Sequence, residues 1–190
     1  MIRRLLILLG GLFLLQFLLL SSLYLYILYL VPSGKELKGC MVTRMYKVSL
    51  CPQGKDYVHL SGISPFMKRA VILSEDSSFF QHHGFDWKEL QNSFEKNLHK
   101  GKYVRGGSTI TQQLAKNLYL TKEKTLWRKF LEALITLRLE KNLSKNEILE
   151  RYLNVVQFGP GIFGIKKAYA DYFKKSLNDL ELMDIIYLTF

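Results

Sequence analysis

The N-terminal apolar run constrains this chain more than any other feature of its sequence. From Leu5 to Val31 there is no charged residue, and most positions are Leu, Ile, Phe or Tyr. As a helix this run would be roughly 40 Å long at about 1.5 Å per residue, which exceeds the roughly 30 Å hydrocarbon core of a bilayer. The apolar region of a signal peptide is shorter, at about 7–15 residues. We therefore predict a cytoplasmic tip and an uncleaved transmembrane anchor over residues 1–32, rather than a buried helix of a soluble core.

Charged and aromatic residues at the two ends of the run predict its orientation. Arg3 and Arg4 precede it, and the positive-inside rule places a basic N-terminus in the cytoplasm. Three tyrosines lie within residues 24–29, as aromatic residues do at a membrane interface. Everything after about Pro32 is then expected to lie outside the cytoplasm, with the anchor crossing the membrane once.

The chain is strongly basic. Its formal net charge is +11, from 27 Lys and Arg residues against 16 Asp and Glu residues. A balance of this size favours an anionic partner, such as nucleic acid, phospholipid headgroups or a phosphorylated substrate. Composition alone does not separate these partners from a basic soluble protein that has none of them.

Residues 33–60 carry Gly, Pro and Ser without a long hydrophobic periodicity, so we predict a linker there. A small hairpin within it is expected from two candidate strands, Val42–Leu50 and Tyr57–Leu60. Cys40 and Cys51 have no zinc-type spacing, which disfavours a structural metal. If the segment is exported these two cysteines could pair, and two free thiols are an equally good alternative.

Helix start signals recur from Ser64 onward, where Ser64 precedes a proline at the first helical position. A capping residue followed three positions later by Glu or Gln occurs at Asp86–Glu89, Thr109–Gln112 and Ser144–Glu147. The resulting helices are predicted over about 66–73, 87–99, 110–118, 126–141, 145–153, 165–173 and 179–188, with a loop at 159–161. We therefore predict an all-α domain over residues 61–190.

A pair of carboxylates, Glu75 and Asp76, follows the first of these helices. A carboxylate at a helix end is a position where an enzyme can hold a general base against a substrate, although most Glu–Asp pairs on protein surfaces are only solvated. His82 and His83 come shortly after. Neighbouring residues of a helix point about 100° apart, so both rings cannot face one metal, and we favour a structural role for them.

The segment RGGSTITQQLAKN is the most unusual of the chain. Its two glycines allow backbone to approach a ligand closely. Ser108 and Thr109 offer hydroxyls and free amides at a predicted helix N-terminus, where an anion is favoured. Gln112, Gln113 and Lys116 follow within two turns, and Gln112 and Lys116 share a face. This arrangement suits sugar hydroxyls and phosphate together. An ordinary capped helix with solvated amides is the alternative.

The long predicted helix after it begins with a group of charges. Arg128 and Glu132 are four residues apart and share a face, next to Lys129, and Lys124 is expected one turn earlier on the same face. Together with Lys116 these cations could converge on a diphosphate. The alternative is a surface ion pair that contributes about 0.3–0.5 kcal/mol.

Taken in order, five blocks resemble the glycosyltransferase domain that polymerises peptidoglycan, found in bifunctional penicillin-binding proteins and monofunctional biosynthetic transglycosylases. They are EDSSFFQHHG at 75–84, GGSTITQQLAKN at 106–117, RKFLE at 128–132, KNEILERYLN at 145–154 and FGPGIFG at 158–164. The short chain with one anchor is similar to the monofunctional type. The resemblance implies a lysozyme-like α-helical fold on the outer face of the bacterial cytoplasmic (inner) membrane. It also implies that the domain continues for some tens of residues beyond Phe190, so we expect the chain to be truncated.

The resemblance also implies roles for individual residues. Glu75 is the expected general base that deprotonates the 4-hydroxyl of the acceptor sugar, and Glu132 is a second catalytic glutamate near the departing diphosphate. Lysine stands at position 124, where the family usually has arginine, and it lacks the planar bidentate fork of a guanidinium. The expected substrate-binding residues are Asp76, Ser108, Thr109, Gln112, Gln113, Lys116, Lys124, Arg128 and Lys129.

The implied reaction transfers the growing lipid-linked glycan onto lipid II with inversion and release of undecaprenyl diphosphate. The expected partners are lipid II, lipid-linked glycan and the membrane, with cell-wall synthesis or division proteins as further candidates and no nucleic acid. No cofactor is required by this chemistry, and a divalent cation, Mg²⁺ or Mn²⁺, is an optional addition at the diphosphate. Two alternatives stay open: a lytic transglycosylase that cleaves glycan with one glutamate, and an inactive membrane-anchored binding protein.

Overall fold

The computed structural model describes residues 2–100, 107–174 and 184, in two compact units. The first unit, Met1–Ser33, contains the helix α1 (Ile2–Leu30). Within it, Leu9–Ile27 is the one stretch of the described chain that is long and apolar enough to cross a membrane, with a mean hydropathy of 1.8. The helix ends just before Pro32, which cannot continue it because proline has no backbone N–H to donate.

The second unit, Gly34–Phe190, is mostly helical, which confirms the predicted all-α fold class. In chain order its helices are α2 (Gly34–Lys38), α3 (Pro65–Glu75), α4 (Trp87–Lys100), α5 (Ile110–Tyr119), α6 (Leu126–Asn142), α7 (Lys145–Val155) and α8 (Ile165–Phe173). Two antiparallel pairs of very short strands join them, β1 (Met41–Val42) with β2 (Ser49–Leu50) and β3 (Gln157–Gly159) with β4 (Ile162–Phe163). A 3-10 turn covers Leu60–Gly62.

Helix α5 forms the centre of this unit, because it packs against both α6 and α7. Seven of its ten residues are buried. Close packing leaves a buried helix little freedom to shift, so α5 is a rigid support for any group it carries. The interior side chains around it are Ile135 and Leu139 of α6 and Ile148, Leu149, Tyr152 and Leu153 of α7.

The segment predicted as a linker contributes to the same unit, with Leu37 and Leu50 fully buried. A hairpin is present, but its strands differ from the prediction: β1 pairs with β2, so the predicted strand Val42–Leu50 turns back on itself. A disulfide joins Cys40 to Cys51 across the base of this hairpin. The backbone N–H of Arg44, at the tip of the hairpin, donates to the carbonyl of Leu118 at 2.8 Å. The hairpin therefore satisfies a carbonyl at the C-terminal end of α5, where helices lack internal partners.

Tyr57–Leu60 is not a strand, contrary to the prediction. Its backbone groups are taken by side chains of α7 instead of a second strand. The amide of Asn154 accepts from the N–H of Val58 and donates to its carbonyl, both at 2.8 Å. Glu150 accepts from the N–H of Leu60 at 2.6 Å and from the hydroxyl of Tyr57 at 2.7 Å. Side chains of a helix can thus bind the backbone groups that a second strand would otherwise bind. No local sequence pattern predicts this contact, because the partners are about 90 residues apart.

The predicted helix starts are largely confirmed. Full capping boxes are formed by Thr109 with Gln112 and by Ser144 with Glu147. Ser64 precedes α3 without a capping hydrogen bond from its side chain. The predicted loop at 159–161 contains the turn between β3 and β4, with Gly159 as the last residue of β3; the sequence did not predict these two strands. The last predicted helix, over 179–188, lies outside the described residues apart from Asp184.

Candidate active site

Glu75 is the last residue of α3, and its side chain is exposed. The helix ends there because Asp76 leaves the helical region, with φ −161° and ψ 75°. Oε2 of Glu75 accepts a hydrogen bond of 2.7 Å from Nε2 of Gln113 on α5. One carboxylate oxygen is therefore fixed by the central helix, while the exposed side chain can still meet a ligand through Oε1.

The neighbouring Asp76 turns inward and is 7% exposed. Its Oδ2 accepts from the backbone N–H of Ile110 at 3.0 Å, and Nε2 of His82 lies 2.9 Å from Oδ1. A carboxylate at a helix N-terminus is stabilised by the helix dipole, so Asp76 fixes the start of α5 beside Glu75. The structural role expected of His82 is confirmed, whereas substrate contact by Asp76 stays a prediction.

Three N–H groups at the start of α5, those of Thr109, Ile110 and Gln112, already have partners within the protein, although the sequence predicted free amides there. Thr109 Oγ1 accepts from the N–H of Gln112 at 3.2 Å, and Gln112 Oε1 accepts from the N–H of Thr109 at 3.0 Å. Thr109 also donates to the carbonyl of Gly84 at 2.7 Å. Gly84 has φ +92°, and a Cβ there would lie 2.8 Å from Thr136, so the position requires glycine. Thr109 and Gln112 are buried, and this network holds the helix start; contact of either residue with substrate stays a prediction.

Both polar atoms of the Gln113 side-chain amide are hydrogen-bonded to other side chains of the protein. Its Nε2 donates to Glu75, and its Oε1 accepts from the hydroxyl of Tyr152 at 3.1 Å. Tyr152 lies among the buried apolar residues of α7. Its hydroxyl meets a residue 39 positions away in the sequence, so the one local signal was a tyrosine in an otherwise apolar stripe. Direct contact of Gln113 with a sugar or phosphate stays a prediction.

Lys116 links the glutamate to a group of cations. Burial lowers the pKa of Lys116, and the charges of Glu132 and Glu75 act in the opposite direction. Arg128 and Lys129 lower the same pKa further by repulsion. The ammonium group of Lys116 therefore interacts electrostatically with the carboxylate of Glu75 and with the charges of α6 at once.

Glu132 organises the charges of α6 from a buried position. Its side chain is 2% exposed, and Arg128 Nη1 donates to its Oε2 at 2.7 Å. Lys129 Nζ contacts the other carboxylate oxygen, Oε1. Nζ of Lys129 also lies 3.4 Å from the hydroxyl of Ser108, the residue that precedes the N-cap of α5. We call Lys116, Arg128 and Lys129 the cation cluster; Glu132 holds two of its three members in place, and its direct part in a reaction stays a prediction.

Lys124 lies elsewhere than expected. It stands before Thr125, the N-cap of α6, and is exposed. It is therefore in the turn that precedes the helix, not one helical turn before Arg128 on the same face. The local reason is that Thr125 accepts from the N–H of Arg128 at 3.1 Å and so starts the helix after Lys124. Binding of substrate by Lys124 stays a prediction.

Glu75 borders two hollows. One, of about 300 Å³, is lined on its other sides by Asp76, Asp86, Glu89, Ser108 and Thr109. The second, of about 370 Å³, lies toward α7 and is lined by Val71, Tyr152, Gln157 and Phe158. Because the carboxylate belongs to both walls, a ligand can approach it from either side.

The residues that the structure describes offer no cluster of side chains suited to hold a metal ion. In the described ranges of the chain, no three His, Cys, Asp or Glu side chains are grouped so as to bind one. Around the cation cluster, both oxygens of Glu132 already face Arg128 and Lys129. A fixed set of positive groups is suited to an anion instead.

Chemically, the site combines an exposed carboxylate with a cation cluster. A carboxylate can remove a proton from a hydroxyl that reaches it. Fixed cations can neutralise a leaving group that gains negative charge, and they require little reorganisation during the reaction. The arrangement is therefore suited to transfer of a group from an anionic leaving group to a hydroxyl.

Comparison with known proteins agrees with this reading. A family model described as Transglycosylase matches residues 43–190. Proteins named biosynthetic peptidoglycan transglycosylase are 52% identical over 118 residues in Laribacter hongkongensis and 54% identical over 124 residues in Chromobacterium violaceum. The matches cover 62% and 65% of this chain, and 52% and 54% of those relatives. The chain thus spans about half the length of the curated relatives it matches.

Proposed function

This chain belongs to the transglycosylase family, and on that premise we propose that it polymerises the glycan strands of peptidoglycan. The growing lipid-linked glycan is transferred onto the 4-hydroxyl of lipid II, with inversion at the anomeric carbon and release of undecaprenyl diphosphate. Support comes chiefly from one arrangement: the exposed carboxylate of Glu75 lines the same hollow as Ser108, whose hydroxyl lies 3.4 Å from the Nζ of Lys129 on α6.

Glu75 acts as the general base. A sugar hydroxyl is a poor nucleophile, and removal of its proton as the new bond forms makes attack possible. Oε2 is held by Gln113, so Oε1 is the oxygen that takes the proton. Inversion requires the hydroxyl to attack from the side opposite the leaving group, as in inverting glycosidases.

The cation cluster stabilises the departing diphosphate. Negative charge grows on the phosphate oxygens as the glycosidic bond breaks, and pre-positioned cations meet it without rearrangement. Glu132 contributes through Arg128 and Lys129, since it fixes both of their head groups. Lys116 is a member of the cluster whose pKa is raised by the charges of both Glu132 and Glu75, against the larger effect of burial.

A divalent cation at the diphosphate would be held mainly by the phosphate oxygens. Mg²⁺ commonly keeps several waters and binds through substrate phosphates rather than through a protein cage. The described residues around the cluster supply positive groups instead of free carboxylates. The proton transfer and the charge neutralisation proposed above are both carried by side chains of this chain.

We place α1 across the bacterial cytoplasmic (inner) membrane as a single span, with Arg3 and Arg4 on the cytoplasmic side. Leu9–Ile27 supplies an apolar stretch of sufficient length. The Cys40–Cys51 disulfide supports an extracytoplasmic position for the second unit, because disulfides persist in oxidising compartments and are rare in the cytosol. An anchor suits an enzyme whose substrates carry lipid tails and lie in the same membrane.

The test uses the full chain in a membrane mimic with lipid II as the substrate. The expected result is lengthening glycan and released undecaprenyl diphosphate. A parallel incubation with purified peptidoglycan tests the lytic alternative, because a lytic enzyme cleaves glycan and needs no diphosphate site. This incubation is expected to release no soluble fragments. Fragments released from peptidoglycan without consumption of lipid II would contradict the proposal, as would salt-sensitive binding of lipid II without turnover.

A further inference from the structure

Tyr152 has a buried hydroxyl close to the candidate base. The residue lies on α7, is 1% exposed and contributes to the interior between α5 and α7. Burial raises the pKa of Tyr152 well above its ordinary value, and the charges of Glu75 and Asp76 raise it further. The phenol therefore keeps its proton, and it can donate a hydrogen bond throughout the pH range in which a carboxylate base works.

The amide of Gln113 joins this hydroxyl to Glu75. Its Oε1 lies 3.1 Å from the Tyr152 hydroxyl, and its Nε2 lies 2.7 Å from Glu75 Oε2. If the amide turned over, its oxygen would face the ionised carboxylate, and the two acceptors would repel each other. A phenol is a stronger donor than acceptor because its lone pair is delocalised into the ring. Tyr152 therefore favours the orientation in which the N–H side of the amide faces Glu75.

We propose that Tyr152 is a positioning residue for the base, because it sets the direction of the Gln113 amide and thereby favours the ionised form of Glu75. The inference rests on the proposed role of Glu75 as the general base. Tyr152 itself exchanges no proton with the substrate: the proton of the acceptor hydroxyl passes to Glu75, and the phenol O–H bond stays intact. The hydroxyl of Tyr152 acts on Glu75 through one neutral amide, that of Gln113.

The charges around Glu75 are the same with and without this phenol. Tyr152→Phe removes one oxygen and changes no ionic side chain, so a change in pH dependence cannot come from lost charge. The titratable and charged groups that face the site are Asp76 at the end of α3, Asp86 and Glu89 at the start of α4, Lys116 on α5, and Arg128, Lys129 and Glu132 on α6.

The pH–rate profile of lipid II polymerisation provides the test, measured on the full chain in a membrane mimic. In Tyr152→Phe the freed amide can present its oxygen to protonated Glu75, which makes protonation easier. The acidic limb of kcat/KM is therefore expected to move to higher pH by about half a unit to one unit. The matched control is Tyr169→Phe, because Tyr169 is also 1% exposed and its hydroxyl has no hydrogen-bond partner among the described residues. That variant is expected to keep the wild-type profile.

A double-mutant cycle separates positioning from general packing. Gln113→Met removes the amide, so adding Tyr152→Phe to it is expected to shift the limb no further. Independent, additive shifts would overturn the proposal, as would an unmoved limb in Tyr152→Phe, since energies of residues that act through one another are not additive.

A spectroscopic measurement keeps the inference testable if Tyr152→Phe does not fold or if the chain does not polymerise. The side-chain amide signals of Gln113 are identified by their loss in Gln113→Met and followed by NMR as the pH falls. In wild type they are expected to shift together with protonation of a carboxylate. In folded Tyr152→Phe, the two amide hydrogens are expected to become more alike. Signals insensitive to pH in wild type would overturn the hydrogen-bond chain, whereas pH-sensitive signals without lipid II turnover would remove only the proposed function.

Discussion

The two glutamates of the site differ in what surrounds their carboxylates. Glu75 is exposed and accepts a hydrogen bond from a neutral amide, whereas Glu132 is 2% exposed and faces two cations. A base must offer an oxygen to the substrate, so Glu75 is suited to proton transfer and Glu132 to holding Arg128 and Lys129. The sequence predicted the spacing of the α6 charges, because four residues make a helical turn. It could not predict the burial of Glu132, which comes from packing of α6 on α5.

Lys116→Met is expected to stabilise the fold and to slow polymerisation. Burial lowers the pKa of Lys116 more than the attraction of Glu132 and Glu75 raises it. Between that lowered pKa and the ordinary lysine value, the unfolded chain binds more protons than the folded one, so the stability of wild type rises with pH. The variant is therefore more stable than wild type near neutral pH, and the difference narrows as the solution becomes alkaline.

Urea unfolding at a series of pH values measures the first part of this prediction, and lipid II turnover measures the second. The loss of one pre-positioned cation is expected to reduce the rate by about 10²- to 10³-fold. A variant that is less stable than wild type at neutral pH would show that the charge of Lys116 does not destabilise the fold. A variant that polymerises normally would show that the reaction does not need this charge.

At the scale of elements, α5 is held at both ends. Asp76 and the Thr109–Gln112 capping box fix its start, and the hairpin of β1 and β2 covers its end. The capping box was predictable because it is a local pattern. The contact of Asp76 with the N–H of Ile110 was not, because it joins residues 34 positions apart. For the same reason the sequence did not predict that the N–H of Ile110 already has a partner within the protein.

Two cap substitutions separate a structural helix start from one that supports the site. Ser144→Ala removes the cap of α7 and is expected to lower the free energy of unfolding by about 1 kcal/mol, with polymerisation retained. Thr109→Ala also leaves the carbonyl of Gly84 without its donor, so a loss of about 2–4 kcal/mol is expected. Its polymerisation rate should fall as well, because Gln113 and Lys116 are carried by the same helix.

Chemical denaturation and lipid II turnover of the two variants, compared side by side, provide the measurement. Equal losses of stability would mean that the hydroxyl of Thr109 adds nothing beyond an ordinary cap. A fully active Thr109→Ala protein would mean that the start of α5 has no influence on the site.

For the molecule as a whole, the sequence was informative wherever the signal is local. The uncharged run predicted α1, and start signals together with hydrophobic periodicity predicted α3 to α8, whereas α2 was not predicted. The role of residues 33–60 was harder to read, because their few apolar side chains have no periodicity. In the structure Asn154 and Glu150 hold this segment against α7, so it belongs to the domain through contacts about 90 positions apart in the chain.

The disulfide is expected to contribute to the stability of the second unit. Cys40 and Cys51 are 11 positions apart and join the two ends of the hairpin that covers α5. Closing a loop of this size contributes about 2–3 kcal/mol through the unfolded state. The double variant Cys40→Ser with Cys51→Ser should lose that amount in urea unfolding. A reducing agent should lower the stability of wild type to the same level and leave the double variant unchanged; an effect on neither protein would mean that the thiols are unpaired.

The most direct measurement of the central claim is the rate of lipid II polymerisation by Glu75→Gln. Glutamine keeps the shape of the side chain but cannot accept the proton, so the rate is expected to fall by about 10²- to 10⁴-fold with an unchanged unfolding midpoint. Glu95→Gln on α4, an exposed glutamate outside the site, is the matched control and is expected to polymerise as wild type does. A Glu75→Gln protein that polymerises lipid II at the wild-type rate would contradict the account.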